Sequence, residues 1–170
     1  MLELATLGAL MAGPQHGYAL KAWLERYMGS QITVNFGAIY PLLRRLSEQG
    51  LITSRDEVAG DKRKATTYSI TREGRRRFKE EMLKFPNESK VNARTRFLTK
   101  VYFFGHVSGK VRAEILGRRL GSLVESTERA VDMEWPAEQF KRAVYQFAIG
   151  QIEAEAIWVA ELLSQERATS

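Results

Sequence analysis

Three side chains in the segment NFGAIYPLLRRLSEQGLI, residues 35–52, carry chemistry suited to an anion or to the edge of a nucleic-acid base: Tyr40, Arg44 and Arg45. An arginine fork pairs two-pronged with guanine or grips a phosphate, and a phenol donates to phosphate. Tyr40 and Arg44 stand four residues apart, so a helix stacks them on one face. Asn35 stands at the head of that helix as a further candidate contact, and the small Gly37 and Ala38 permit close approach to a surface. Further along, Lys62, Arg63 and Lys64 form a run of cations suited to phosphate contacts, which give affinity and salt dependence but little sequence information.

Other chemistries find no support in the residues. There is no cysteine, and the only histidines are His16 and His106, so a transition-metal site of three or four nitrogen and sulfur ligands cannot be assembled from one chain. GHVSGK has no Ser or Thr after its lysine, so it is no P-loop, and no G-x-S-x-G or H-E-x-x-H occurs. Neither an enzyme nor a cofactor is expected. Trp23, Tyr102 and Trp158, with Phe103 and Trp135, could line a pocket for an aromatic effector, although aromatic residues at helical spacing usually fill cores and dimer seams.

The elements that must hold these side chains follow from periodicity. Leu4, Leu7, Leu10 and Met11 mark a first helix, Gly13 and Pro14 break it, and Leu20, Trp23, Leu24, Tyr27 and Met28 mark a second. His16 and Tyr18 lie at the head of that second helix as weaker candidates for the DNA backbone, His16 also ordering the turn. The third helix has Asn35 as N-cap, a buried stripe of Ile39, Leu42, Leu43 and Leu46, and Gly50 at its C-terminal cap. With a start near Phe36 or Gly37, Pro41 falls at about the second turn and a modest kink is expected. LITSRDEVA and ATTYSIT flank GDKRK as a two-stranded hairpin with a basic tip, and Thr71 caps a fourth helix. Arg72, Arg75, Arg76 and Arg77 crowd the first half of that helix, against its dipole, which favours a solvent or phosphate role.

The polar segment 85–93 is the expected boundary, giving domains at 1–86 and 93–166. The second holds RFLTKVYFFGHVS, a helix capped by Ser108, and a long helix from Pro136 whose Phe140, Val144, Phe147, Ile152, Ala156, Val159 and Leu163 need a partner helix from this chain or a second copy. The 170 residues are 44% hydrophobic and 27% charged, enough for one or two small cores. The net charge of +6 is uneven: residues 1–90 hold 15 Lys and Arg against 10 Asp and Glu, so the basic excess lies with the candidate contacts. No apolar run approaches the ~20 residues of a spanning helix. Glu3 stands where a signal peptide carries basic residues, and the lack of cysteine suits a reducing compartment, so the cytoplasm is expected.

Three helices followed by a basic-tipped hairpin describe a mainly α winged helix-turn-helix domain, whose third helix enters the major groove of double-stranded DNA. The stretches LGALMAGPQHGYALKAWLE, NFGAIYPLLRRLSEQGLI and TTYSITREGRRRF resemble the DNA-binding domain of the PadR family of bacterial transcriptional regulators. RFLTKVYFFG and QIEAEAIWVAELL resemble the longer helical C-terminal domain of one subgroup. The resemblance implies a homodimer held by the C-terminal helices, binding of a pseudo-palindromic operator, repression as the usual outcome, and in some members a response to small aromatic molecules. The wing departs from the usual pattern, with Asp61 and no proline. The alternative is a winged-helix protein-contact module without a specific DNA target, in which the basic side chains matter little.

Overall fold

The computed structural model describes residues 1–28, 36–58, 64–87, 89–131 and 136–169. It divides into two compact units, Met1–Val107 and Ser108–Ser170. The dividing point lies beyond the 85–93 segment picked out in the sequence, because the helix that follows that segment is anchored to the first unit. Lys100 on that helix is buried at 2% exposure, donates to the Lys84 carbonyl and lies 4.1 Å from the centre of the Phe85 ring.

In the first unit, helix α1 (Leu2–Met11) is buried along Leu4–Leu10 and forms the centre of the core. LELATLGALM is apolar nearly all round, so it has no face to give to water. Around it pack α2 (Gly17–Met28), α3 (Ile39–Glu48) and α4 (Arg72–Leu83), contributing Leu20, Leu24, Ile39, Leu43, Leu46, Phe78 and Met82 to the buried set. A Cβ on Gly8 of α1 would lie 2.6 Å from the outer end of the Phe103 ring, so the glycine makes room for that ring against the helix. Phe103 ends α5 (Lys90–Tyr102) and precedes a 3-10 turn, Phe104–His106.

The sheet has three strands, one more than the sequence suggested. β2 (Ile52–Val58) and β3 (Lys64–Ile70) form the expected hairpin, while β1 (Gln15–His16) pairs antiparallel with the free edge of β3, giving the order β1-β3-β2. Gln15 faces Tyr68 and His16 faces Thr67. Two residues are too few to show an alternating pattern; they are drawn into the ladder because the chain leaves α1 through Gly13, at φ +149°, and the Gln15 amide donates to the Ala9 carbonyl at 3.1 Å.

Pro41 proves undemanding. A 3-10 turn, Phe36–Ala38, leads into an α-helix that starts only at Ile39, which makes Pro41 its third residue, where the missing N–H has no intrahelical acceptor to lose. The expected second-turn placement gives way to this third position of the α-helix, after a turn of 3-10 type. The expected cap Asn35 lies outside the described residues. At the other end Gly50 takes φ +69°, its N–H bonds the Ser47 carbonyl at 3.0 Å and the Leu51 N–H bonds the Leu46 carbonyl at 2.9 Å, a Schellman closure.

Thr71 caps α4 as expected, accepting from the Gly74 N–H at 3.0 Å. The same hydroxyl lies 2.8 Å from the Gly50 carbonyl and 3.0 Å from that of Leu51, so α4 is tied to the turn that ends α3. A Cβ on Gly74 would collide with the Leu51 carbonyl, which fixes the closeness of that join.

The second unit is a pair of helices, α6 (Gly109–Val131) and α7 (Gln139–Thr169). Glu138, rather than Pro136, starts α7: its carboxylate accepts from the N–H groups of Phe140 at 2.8 Å and Lys141 at 3.3 Å. Ile115, Leu116 and Leu123 of α6 and Val159 and Leu163 of α7 are buried. Two ion pairs cross the seam, Arg119 with the buried Glu155 at 2.7 Å and Arg112 with Glu166 at 2.8 Å. The first half of α7 is left open, with Phe140, Val144 and Phe147 at 76%, 66% and 66% exposure.

Candidate nucleic-acid interface

The third helix divides its residues cleanly. Ile39, Leu42, Leu43 and Leu46 are buried, and Gly37, Ala38, Tyr40, Pro41, Arg44 and Arg45 are exposed, so the outward face is the one the sequence pattern indicated. Tyr40, Pro41, Arg44, Arg45 and Glu48 line a shallow concavity of about 490 Å³ on that face. Backing by four buried aliphatic side chains means that this surface is presented by a helix already formed, with little ordering left for a partner to supply.

The two arginines differ in their surroundings. Arg44 Nε donates to Glu48 Oε1 at 2.8 Å along the same helix. Arg45 reaches across to α1, where its Nη2 lies 3.1 Å from Glu3 Oε2. Glu3 also accepts from Arg77 Nε of α4 at 3.0 Å, and Arg77 pairs in turn with Glu81 at 3.4 Å. Glu3 thus joins three helices, and its hydrogen bond is the main reason the Arg77 guanidinium holds its proton more tightly than usual. The basic cluster of α4 therefore has an internal function that its composition did not suggest. Arg76 is bracketed by Glu73 and Glu80, and the Glu73 carboxyl is held below its ordinary value chiefly by that arginine's hydrogen bond.

Tyr40 sits against the base of the wing. Gly17 is buried, and a Cβ there would lie 3.0 Å from the Tyr68 ring and 3.6 Å from that of Tyr40, so the glycine makes room for both. Burial, followed by the Tyr40 phenol and the Asp56 carboxylate, raises the Tyr68 hydroxyl above its ordinary value. His16 is exposed on β1 with Nδ1 2.9 Å from the Thr67 hydroxyl, and Tyr18 is 75% exposed at the start of α2. Of the wing residues, Lys62 and Arg63 lie outside the described residues, and Lys64 opens β3.

The aromatic candidates separate. Trp23 and Tyr102 meet edge to face at 5.6 Å and continue through Phe103 to Phe78 at 6.0 Å, an interior stack in which only Tyr102 is half exposed. Trp158 belongs to α7 in the other unit. Among the described residues no three His, Cys, Asp or Glu side chains gather as a metal site, and no helix is long and apolar enough to cross a membrane.

A core of three helices, a hairpin wing on its flank and a third helix with a basic, exposed face define a winged helix-turn-helix domain. Residues 6–80 match the family model described as "Transcriptional regulator PadR-like family". The negative transcriptional regulator PadR of Bacillus subtilis (strain 168) is 24% identical over 71% of this chain and 65% of its own length. Transcriptional regulator YqjI of Escherichia coli (strain K12) is 41% identical over 39% of this chain. The match spans just under two thirds of the first relative and 32% of the second. The crystal structure of Bacillus subtilis PadR in complex with operator DNA aligns over 97% of this chain and 98% of that one, at 20% identity and a TM-score of 0.47.

Two acidic residues at this site were not anticipated. Glu48 was legible in principle, four residues beyond Arg44. Glu3 carried no local signal, because 42 residues separate it from Arg45.

Proposed function

We propose that this chain is a homodimeric repressor that binds a pseudo-palindromic operator by placing α3 in the major groove. The observation that carries the reading is the two-sided third helix, buried on Ile39, Leu42, Leu43 and Leu46 and open on Tyr40, Pro41 and Arg44. Gly37 and Ala38 bring the backbone close to the groove wall, Arg44 and Arg45 supply cations, and the wing residues Lys62, Arg63 and Lys64 hold phosphates. His16 and Tyr18 add backbone contacts beside them. Repression is the activity named for the Bacillus subtilis relative and is taken as the working direction here.

Dimerisation is assigned to the second unit, because the open row Phe140, Val144 and Phe147 on α7 is an apolar surface that a second copy would cover. A two-fold dimer sets half-sites ~34 Å apart, about 10 bp centre to centre. An aromatic effector acting near Trp23, Tyr102 or Trp158 is the proposed means of relief; p-coumaric acid, present in a Bacillus subtilis PadR crystal structure, is a suitable probe for quenching of tryptophan fluorescence.

The deciding experiment is an anisotropy titration against a labelled duplex from upstream of the chain's own gene and against a scrambled duplex, at 50 and 200 mM salt. Preference of about 10³ or more for the upstream duplex at the higher salt supports the repressor, since specific binding outlasts the electrostatic contribution. Absence of binding even at 50 mM would sink it and favour the protein-contact module.

A further inference from the structure

The outward row of α3 runs Tyr40, Arg44, Glu48, and it ends in an acid where a phosphate-facing surface gathers cations. Glu48 and Arg44 are paired at 2.8 Å, with side chains 61% and 82% exposed. An ion pair so open contributes little to stability. It also joins no two elements, unlike the pairing of Arg45 with Glu3 across to α1. The fold has no need of Glu48, so its place on the reading face calls for another reason.

The reason lies in which edge of the guanidinium it occupies. Glu48 takes the Nε–H of Arg44, and among the described residues the two terminal nitrogens have no partner. Those nitrogens form the remaining two-pronged edge, the one that matches O6 and N7 of a guanine met end-on. A carboxylate beside the fork also repels phosphate oxygens, so the same contact that aims Arg44 at a base makes the backbone a poorer target. Inside a groove that excludes water, both effects strengthen.

We propose that Glu48 is a specificity-determining positioning residue: it holds Arg44 for end-on pairing with one guanine in the major groove and keeps that arginine off the phosphates. The proposal rests on the reading that α3 enters the groove. It gives Glu48 opposite effects on the two kinds of binding, raising discrimination while lowering non-specific affinity. A residue needed only for folding would move both the same way.

The test uses the full chain as wild type, Glu48→Gln, Arg44→Ala and the double variant. Each is put through selection from a randomised duplex pool, followed by anisotropy on the selected duplex, its single-base variants and a scrambled duplex. Wild type should select a motif with one guanine preferred about tenfold or more over the other bases. Glu48→Gln, which keeps the side-chain shape but replaces the charged acceptor with a weaker neutral one and should melt with wild type, is expected to lose most of the preference at that position while binding the scrambled duplex more tightly and with a steeper salt dependence. Arg44→Ala should lose the same position, and adding Glu48→Gln to it should leave base preference unchanged. Full retention of the guanine preference by Glu48→Gln overturns the proposal, as does an equal fall in affinity for every duplex. A wild-type chain that selects no motif overturns the DNA-reading function itself, and the role of Glu48 with it.

Discussion

Tyr68 shows how a single side chain couples the wing to α3. Its hydroxyl is held above the ordinary tyrosine value first by burial and then by Tyr40 and Asp56, so the folded chain keeps that proton at pH values where the unfolded chain has released it. The resulting stabilisation is complete below about pH 10, the ordinary tyrosine value, and is lost as pH rises through the folded-state pKa. Tyr68→Phe should therefore melt with a shallower decline above pH 10 than wild type, measured by thermal unfolding across pH 8–11; an identical decline would contradict the assignment. Arg45 offers a second residue-scale prediction. Because it is tied to Glu3, Arg45→Ala should weaken the proposed DNA binding less than Arg44→Ala, whose proposed base contact would be worth about 1–3 kcal/mol. Parallel titrations of the two variants on one selected duplex decide this. The sequence made both arginines visible as one pair on one helix. Of their partners, Glu48 could be read from its i, i+4 spacing, whereas Glu3 could not, because it lies at the far end of the domain's sequence.

Elements are held in register by a few short bonds. Thr71 caps α4 and reaches the carbonyls of Gly50 and Leu51, so Thr71→Ala removes a helix cap and a link to the end of α3 together. A cap alone is worth about 0.5–2 kcal/mol, and the variant should fall at or above the upper end of that range in urea unfolding. Thr71→Ser should recover most of the loss. In the second unit, Glu155→Ala should cost about 3–5 kcal/mol, because it leaves the Arg119 guanidinium partly buried without its carboxylate; Glu155→Ala with Arg119→Leu should recover much of it. The long helices, the hairpin and the Thr71 and Gly50 caps were legible because periodicity and capping are local properties. β1 was not, since a two-residue strand exists only by virtue of the β3 edge it meets, and neither was the anchoring of α5 to the first unit by Lys100, a contact across 16 residues.

At the scale of the whole molecule, the chain carries a winged-helix unit and a helical pair that does not cover itself. α7 has 31 residues against 23 for α6, so at 1.5 Å per residue it is longer by about two turns. Phe140, Val144 and Phe147 lie in its uncovered first part. If the proposed dimer forms through this surface, Phe140→Glu with Phe147→Glu should yield a monomer in light scattering, with the helical circular dichroism of the first unit kept and the proposed operator preference sharply reduced. A dimer that survives both charges would move the interface elsewhere.

The separation of faces on α3 has a practical meaning as well. The four aliphatic side chains that seat the helix and the residues that line its outer concavity share no members. Packing and message are written in different letters of the same ten-residue word. On the DNA-reading role proposed above, a new operator could be addressed by rewriting the outer letters other than Arg45, whose tie to Glu3 also serves the fold beneath.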